Sequence, residues 1–426
     1  MNYESFIFKD YAFNQETKRL TLSYSFDNVL DFSEEYFFDF SFVDFDSRLL
    51  DQTIQSLFFM AGVSYFKAYP DANIEIKKGQ LDKEATDFFG KTYRLGLGEF
   101  FYTNQLDPNT KINFPSNVDR LEAIDTLGVN NGLLIGIGGG KDSLVSVELL
   151  RNTPQNIATW SVGHRPQLTP LVDRIGLPHY WVERTWDRKL LDLNKRGALN
   201  GHIPISAIIA TVGAVVAVLS GRKDVVVSNE NSANEATLNY RNVAINHQYS
   251  KSLEFEKDYQ TYLKNTVSDN IEYYSCLRPF SEVAIAEQFA VSGFNKYHDV
   301  FSSCNRAFTS DSNHIFWDGT CPKCAFVFLA LTPFIDRPKL ENLFEGKNLL
   351  LNPELKHTYR ELLGIEGSKP LECVGEIKES RTAMRLAIGI YPQLNDYSFD
   401  IPEDYSYKSL NAHSMPDDIY RVMVAN

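Results

Sequence analysis

The strongest indication of chemistry in the sequence is a glycine loop made of Gly138, Gly139, Gly140, Lys141, Asp142 and Ser143. It follows a short apolar run and precedes a helical pattern. Glycines allow successive backbone N–H groups to face an anion, and a following helix N-terminus adds a positive dipole. Lys141 adds a point charge, Asp142 can hold Mg²⁺ against phosphates, and Ser143 can donate to them. The pattern therefore predicts a site for a phosphate chain; a glycine turn without a ligand is the alternative.

Two common phosphate loops do not fit this segment. The P-loop requires Gly, four residues and then Gly-Lys-Ser/Thr, but Asp142 follows the lysine here. A dinucleotide fingerprint begun at Gly136 would place its last glycine at Lys141. The loop instead resembles the PP-loop of ATP pyrophosphatases, S-G-G-x-D-S/T, with Gly138 in place of the first serine. This resemblance implies Mg²⁺-dependent cleavage of ATP to AMP and pyrophosphate.

Strands that alternate with helices from about residue 121 must position this loop. Such alternation predicts an α/β fold with a parallel sheet, in which ligands bind at the carboxyl ends of the strands. The loops after Ile137, Val162 and Val227 should therefore line one crevice. We predict an aromatic-rich, separate α+β domain over 1–120, a PP-loop (HUP-like) ATP-binding domain over 121–300 and a cysteine-containing, largely helical region over 301–426. The apolar stretch 203–220 is interpreted as a buried helix rather than a membrane span.

Polar residues follow these predicted strands. His164 and Arg165 come after the second strand, and Arg165 suits a phosphate or a carboxylate. Glu230 comes after VVVSN, where it could serve as a second Mg²⁺ ligand or a base, or could be a solvated loop charge. His202 precedes the long apolar helix and could be no more than a residue at that helix's N-terminus.

Charge and cysteine content limit the classes of function. The net charge of −13 argues against a nucleic-acid partner, since phosphate binding needs a basic surface. The N-terminus lacks the pattern of a signal peptide, and five cysteines do not suggest a disulfide scaffold, so we expect a cytoplasmic protein without a membrane partner. The oligomeric state stays open.

Cys304, Cys321 and Cys324 have the spacing of a zinc knuckle. The fourth ligand is open among Asp318, His314, His298 and Cys276. Reduced thiols in a packed loop, or a catalytic cysteine pair, are the alternatives to a structural Zn²⁺.

Several segments together resemble one family. They are 160–187, 198–209, 226–235 (VVSNENSANE), 246–256 (NHQYSKSLEFE) and 321–334 (CPKCAFVFLALTPF). This set resembles the muramoyl-alanyl-glutamate epimerases, the MurL family. The resemblance implies ATP-dependent inversion of the terminal L-glutamate of UDP-N-acetylmuramoyl-L-alanyl-L-glutamate, a UDP-muramoyl-dipeptide, with release of AMP and pyrophosphate in peptidoglycan precursor synthesis.

Such a reaction needs groups that transfer a proton. His247 is the first choice, and Lys251 would share its face if this segment were helical. His247 could instead contact phosphate or ribose, or lie at the edge of the core. Lys251 could equally bind the γ-carboxylate of the substrate. Two other functions stay open: an AMP-forming amidotransferase or thiolase, and a scaffold that binds ATP without turnover.

Overall fold

The structure is a computed structural model, and it describes residues 3–124, 130–309 and 312–425. Its strands are β1 (Ser5–Asn14), β2 (Arg19–Phe26), β3 (Leu30–Asp39), β4 (Asn73–Ile76), β5 (Asn130–Gly136), β6 (Asn156–Val162), β7 (His179–Thr185), β8 (Arg222–Val227), β9 (Leu238–Tyr240), β10 (Val243–Ile245) and β11 (Glu272–Ser275). Its α-helices are α1 (Ser47–Ala61), α2 (Val63–Phe66), α3 (Lys83–Gly96), α4 (Gly98–Thr103), α5 (Lys141–Leu150), α6 (Arg165–Ile175), α7 (Lys189–Lys195), α8 (Ile205–Ser220), α9 (Leu253–Tyr262), α10 (Glu282–Ser292), α11 (Phe294–Tyr297), α12 (Pro322–Leu331), α13 (Arg337–Leu343), α14 (Lys356–Leu362), α15 (Ile377–Ile388) and α16 (Asp417–Ala425).

One mixed sheet organises the chain, in the order β11-β8-β5-β6-β7-β3-β2-β1-β4. The five strands from β11 to β7 are parallel, as the alternation of strands and helices predicts. Strands β8, β5 and β6 are neighbours, so the three loops expected to share one edge do leave the sheet side by side. The α/β class is confirmed.

The first three strands extend this sheet. They form an antiparallel meander, and β3 pairs with β7 from Glu35↔Thr185 to Asp39↔Trp181. The strands of the first 120 residues therefore continue the sheet of the following α/β region. Alternating aromatic residues predict strands correctly, but they do not reveal which distant strand an edge will pair with. The boundaries at 120 and 300 stay a prediction.

Two hydrophobic cores cover the two faces of the sheet. Leu134 on β5 belongs to the core that contains the aromatic residues of the N-terminal region and α8, whereas its neighbours Leu133 and Ile135 belong to the core with α5, α10 and α12. This alternation follows from the period of two in a strand. Helix α8 is buried, as expected, and at Gly213 it lies so close to the sheet that a Cβ atom would be 2.7 Å from a methyl group of Val225.

A buried ion pair joins the meander to the parallel strands. Arg184 on β7 donates through Nε to Glu34 on β3 at 2.8 Å, and the Glu34 side chain is fully buried. Tyr36 donates to the same carboxylate at 2.6 Å, and Arg184 also donates to Ser64 Oγ at 3.0 Å. Burying a charge pair costs free energy because both ions lose their water, and these additional hydrogen bonds offset part of that cost.

The region after α11 is largely helical, as expected, and packs against α10 and α5 in the second core. Among the helices of the described ranges, none is both long enough and apolar enough to cross a bilayer.

Candidate functional site

The glycine loop joins the carboxyl end of β5 to the N-terminus of α5. Gly139 has φ +92°, and a Cβ atom there would collide with the ring of Phe308, so this position requires glycine. At Gly138, in contrast, no atom of the described residues lies within 4 Å of the place where a Cβ atom would stand. The Ser143 hydroxyl donates to Gly140 O at 3.1 Å and so supports the turn. The loop thus leaves free space beside Gly138 at the start of a ten-residue helix.

Lys141 turns inward from this loop. Its side chain is 1% exposed, and its ammonium group donates to the carboxylates of Asp142 and Glu282. Glu282 is the first residue of α10, directly after the Ser281 cap, in the segment that follows β11. It therefore reaches the glycine loop from the segment after β11, which is separated from β5 by β8.

Three carboxylates meet around this lysine. Asp142, Glu230 and Glu282 each place one oxygen within 4.8 Å of the others. Burial would raise the pKa of Asp142, but the Lys141 and Lys323 ammonium groups outweigh it and lower the pKa. Burial raises the pKa of Glu282 despite Lys141. Glu282 Oε1 is buried and accepts no hydrogen bond within the described residues, although Lys323 Nζ lies 3.9 Å away.

Arg278 fixes the residues that surround this cluster. It is fully buried, donates to Glu230 O at 2.7 Å and to the carbonyl of Lys251, and pairs with Glu256 at 2.8 Å. Its guanidinium group therefore ties the backbone of two predicted site residues together. Arg278 follows β11 closely in sequence, as Glu282 does.

His247 and Lys251 both act on one further residue, Cys373. Residues Tyr249–Lys251 form a 3₁₀ turn, so the condition of an α-helical segment, under which the two would share a face, is not met. Lys251 Nζ donates to Cys373 Sγ at 3.1 Å, and the charge of His247 lowers the pKa of the same thiol. His247 Nδ1 pairs with Glu99, whose carboxylate lies 3.4 Å from His202 Nδ1.

Charge and burial separate the pKa values of the two histidines. Burial would lower the pKa of His247, but its hydrogen bonds to Cys373 and Glu99 raise it to about 9. His202 is dominated by burial, which lowers its pKa to about 4. His247 is thus a cation at neutral pH, and His202 is neutral.

His164 and Arg165 do not contact the group formed by Glu99, His202, His247, Lys251 and Cys373 in the described part of the chain. His164 packs edge-on against Phe308, which borders Gly139, and burial lowers its pKa. Arg165 turns toward Asp39, to which it donates at 2.6 Å, and its guanidinium group lies over Trp181. The structure therefore places His164 beside the glycine loop and Arg165 at the β3–β7 side.

Cys304, Cys321 and Cys324 come together, with sulfur atoms within 4.8 Å of one another. Of the expected fourth ligands, Asp318 pairs instead with Arg306, and Cys276 donates to Ser146 Oγ at 3.0 Å. Across the parts of the chain that the structure describes, the group holds these three thiols without a fourth His, Cys, Asp or Glu ligand.

Four further residues of the site received no role from the sequence: Glu99, Glu282, Lys323 and Cys373. Glu282 could have been found, because it opens the helix that follows a strand of the same sheet. Glu99, Lys323 and Cys373 arrive from other regions, and single residues of these types carry no spacing pattern.

Comparisons with known proteins agree with the resemblance. The model of the MurL N-terminal domain matches residues 1–276, and that of the MurL C-terminal domain matches residues 300–394. A UDP-N-acetyl-alpha-D-muramoyl-L-alanyl-L-glutamate epimerase of Xanthomonas oryzae pv. oryzae is 39% identical over 390 residues, which cover 89% of this chain and 85% of the relative. A protein of the same name from Salinispora tropica is 39% identical over 340 residues, covering 79% and 73%. The chain therefore belongs to the MurL family.

Proposed function

We propose that this protein is an ATP-dependent epimerase that inverts the terminal glutamate of UDP-N-acetylmuramoyl-L-alanyl-L-glutamate, through an acyl-adenylate, in peptidoglycan precursor synthesis. The names of its relatives support the substrate and the inversion. The observation that carries the ATP-dependent part is the meeting of Asp142, Glu230 and Glu282 at the helix that begins directly after the glycine loop. A nucleotide-linked substrate and unpaired cysteines fit a cytoplasmic location.

The chemistry explains why inversion would need ATP. The α-proton of a free carboxylate is very weakly acidic, because its removal places two negative charges together. Transfer of AMP to the α-carboxylate removes one charge and allows the carbanion to delocalise as an enolate. Reprotonation from the opposite face and hydrolysis of the mixed anhydride complete the inversion.

Mg²⁺ fits the acidic cluster. It prefers oxygen ligands and commonly binds through one or two carboxylates together with substrate phosphates. Asp142 and Glu230 supply oxygens, and Glu282 Oε1, which accepts no hydrogen bond from any residue that the structure describes, is a buried acceptor at the same place. Bound there, the ion would supply charge neutralisation for the phosphates.

The remaining residues of the loop would bind the phosphate chain. Backbone N–H groups from Gly138 to Gly140 and the N-terminus of α5 would face it. His164 would lie next to the phosphate chain, because it packs against Phe308 beside Gly139. Lys141 would keep Asp142 ionised and would orient the carboxylates of both Asp142 and Glu282. Arg165, which pairs with Asp39, would need to release that exposed contact to reach a ligand.

His247, Lys251 and Glu230 are the candidates for proton transfer. Glu230 lies among the proposed metal ligands, which favours a role for it there. His247 and Lys251 act on Cys373, and Lys251 is also near enough to Glu230 and Asp142 for their charges to raise its pKa. They therefore favour a second part of the site, where the glutamyl end of the substrate would lie.

One assay tests the proposal. The protein is incubated with ATP, Mg²⁺ and UDP-N-acetylmuramoyl-L-alanyl-L-glutamate, and AMP, pyrophosphate and the chirality of glutamate released by acid are measured. We expect AMP and D-glutamate to form. AMP without D-glutamate would indicate an amidotransferase or thiolase, and no AMP would indicate a scaffold; either result rejects the epimerase.

Variants of the acidic cluster sharpen this test. Asp142→Asn and Glu282→Gln should each lower AMP formation by about 10²-fold or more, because each removes charge that holds the metal and the phosphates. Asp173→Asn, an exposed acid on α6, is the matched control and should keep wild-type activity. Full activity in Asp142→Asn would remove the ATP-binding assignment.

We also propose that Cys304, Cys321 and Cys324 hold a structural Zn²⁺, with solvent as the fourth ligand, since three converging sulfurs suit this ion. Metal analysis should give one zinc per chain, and Cys324→Ser should lose it together with thermal stability. A zinc-free protein with unchanged stability after chelation would contradict this.

A further inference from the structure

Cys373 lies in the loop between α14 and α15, where charged side chains surround it. Two ammonium groups from separate segments contact it: Lys251 Nζ donates to its sulfur at 3.1 Å, and Lys323 donates to its carbonyl oxygen. The charge of His247, which lies in the same segment as Lys251, also lowers the pKa of the Cys373 thiol. The residue is partly buried. Its sulfur is therefore oriented by neighbours rather than left free in a loop.

A second layer orients His247. Its Nδ1 pairs with Glu99, and its charge acts in turn on the pKa of the Cys373 thiol. A reactive thiol whose basic partner is itself oriented by a third group is a common arrangement in catalysis. Glu99 lies in the first turn of α4, far from Cys373 in sequence, so the fold brings this set together.

The other cysteines have different surroundings. Cys304, Cys321 and Cys324 face one another, and Cys276 is buried against Ser146. Burial raises the pKa of Cys276 to about 12, which keeps that thiol neutral. Cys373 is thus distinguished from them by its cationic neighbours.

The charges around Cys373 favour its thiolate. Burial would raise the pKa of this thiol, but Lys251, the hydrogen bond from His247 and the charge of Lys323 outweigh it and lower the pKa to about 7. A base with a pKa near the working pH is the most effective in proton transfer.

We infer that Cys373 is one of the two groups that exchange the α-proton of the activated glutamate. This inference rests on the proposed function. In one direction the Cys373 thiolate takes the proton: the Cα–H bond breaks, an S–H bond forms, and the electron pair moves into the enolate. A protonated acid on the opposite face then gives its proton to Cα. In the reverse direction the thiol returns its proton to Cα. Solvent resets both groups between turnovers.

Cys373→Ala should separate activation from inversion. We expect it to form AMP within a fewfold of the wild-type rate, because the acidic cluster is intact, and to invert at least about 10²-fold more slowly. Solvent deuterium gives a signature that a structural role would not. In D₂O the variant should still exchange the α-hydrogen of one epimer without inverting it, through the remaining base. It should not exchange that of the other epimer.

Two controls accompany this variant. Ser368→Ala removes an exposed hydroxyl from the same loop, and Cys276→Ser replaces a buried thiol outside the cluster. Both should invert glutamate at close to the wild-type rate. Thermal melting of all variants shows whether the fold is kept.

Each result has a distinct meaning. If the wild-type protein forms neither AMP nor D-glutamate, the proposed function fails. If the wild type inverts glutamate and Cys373→Ala inverts it within tenfold, or exchanges both epimers equally, only the role of Cys373 fails. An equal loss of AMP formation and inversion would also overturn it. So would a glutamyl thioester on Cys373, found by intact mass after acid quench, because it would show attack on the carbonyl instead of proton transfer.

Discussion

Replacing Lys251 with methionine should raise the pKa of Cys373 strongly. In the folded protein this pKa is about 7, against an ordinary value of 9.0, although burial acts to raise it. The group that lowers this pKa most is the Lys251 ammonium, whose nitrogen lies 3.1 Å from the sulfur. Two pKa units correspond to about 2.7 kcal/mol of preference for the thiolate. In Lys251→Met, burial remains while most of this preference disappears, so the midpoint should move from about 7 to 9 or above.

Alkylation of Cys373 by iodoacetamide as a function of pH measures this shift, with the peptide followed by mass spectrometry. At about pH 7.5 the thiolate fraction should fall from roughly three-quarters to roughly 3%. The remaining thiolate is more nucleophilic by about eightfold, so the rate at that single pH falls only about threefold. The midpoint of the pH profile is therefore the proper readout.

Stability against pH would be a poorer readout of this pair. The lowered pKa of Cys373 stabilises the fold above the unfolded value of 9.0, and this stabilisation is lost as the pH falls through about 7. The raised pKa of His247 acts in the opposite sense, since its contribution is complete below the unfolded value of 6.5 and is lost as the pH rises through about 9. One contribution to the free energy of unfolding therefore grows with pH while the other falls, so their pH dependences largely cancel.

Lys111→Met, which removes an exposed lysine, is the control and should leave the alkylation midpoint unchanged. A midpoint in Lys251→Met that stays within about half a unit of the wild type would refute the reasoning, because one half unit is worth only about 0.7 kcal/mol. It would mean that His247 and Lys323 suffice to hold the thiolate.

Three other substitutions test the glycine loop, the ion pair in the sheet and the packing of α8. Gly139→Ala should destabilise the fold by about 1–3 kcal/mol, because its φ is +92°, whereas Gly138→Ala should leave stability unchanged in urea unfolding and weaken ATP binding. Arg184→Met should cost about 3–5 kcal/mol by leaving Glu34 buried without its partner; a smaller loss in the double variant with Glu34→Gln would identify the uncompensated charge as the cause. Gly213→Val should lower the melting temperature, since overpacking costs about 1–3 kcal/mol, and an unchanged melting temperature would mean that α8 can move from the sheet.

The sequence predicts those parts of the site that local pattern determines. The glycine loop, the helix after it and Glu230 lie at the carboxyl ends of adjacent parallel strands, where the alternation of strands and helices places them. The pairing of β3 with β7 has no such local cause. An edge strand carries the same alternation whichever partner it finds, and the partner is chosen by packing across the whole sheet.

Cys373 shows the same limit at the level of single residues. Its chemistry depends on Lys251, Lys323 and His247, and each of these is remote from it in sequence. A lone cysteine in a loop is ordinary in composition, and only the fold supplies the positive charges that lower its pKa. The three clustered cysteines, by contrast, were visible from spacing alone.

Two side chains link the acidic cluster to the thiol. Lys323 Nζ lies 3.9 Å from Glu282 Oε1 and also donates to the carbonyl of Cys373, so one ammonium contacts both parts of the site. Arg278 holds the backbone carbonyls of Glu230 and Lys251, one from each part. In the proposed reaction the carboxyl carbon that is activated is bonded to the α-carbon that loses its proton. The carboxylate must therefore lie at the phosphate chain while the α-carbon lies at the base. Because Arg278 and Lys323 contact both parts, a cation that moved Glu230 and Glu282 would also move Lys251 and Cys373. Activation of the carboxylate and removal of the proton would then be coupled within one site.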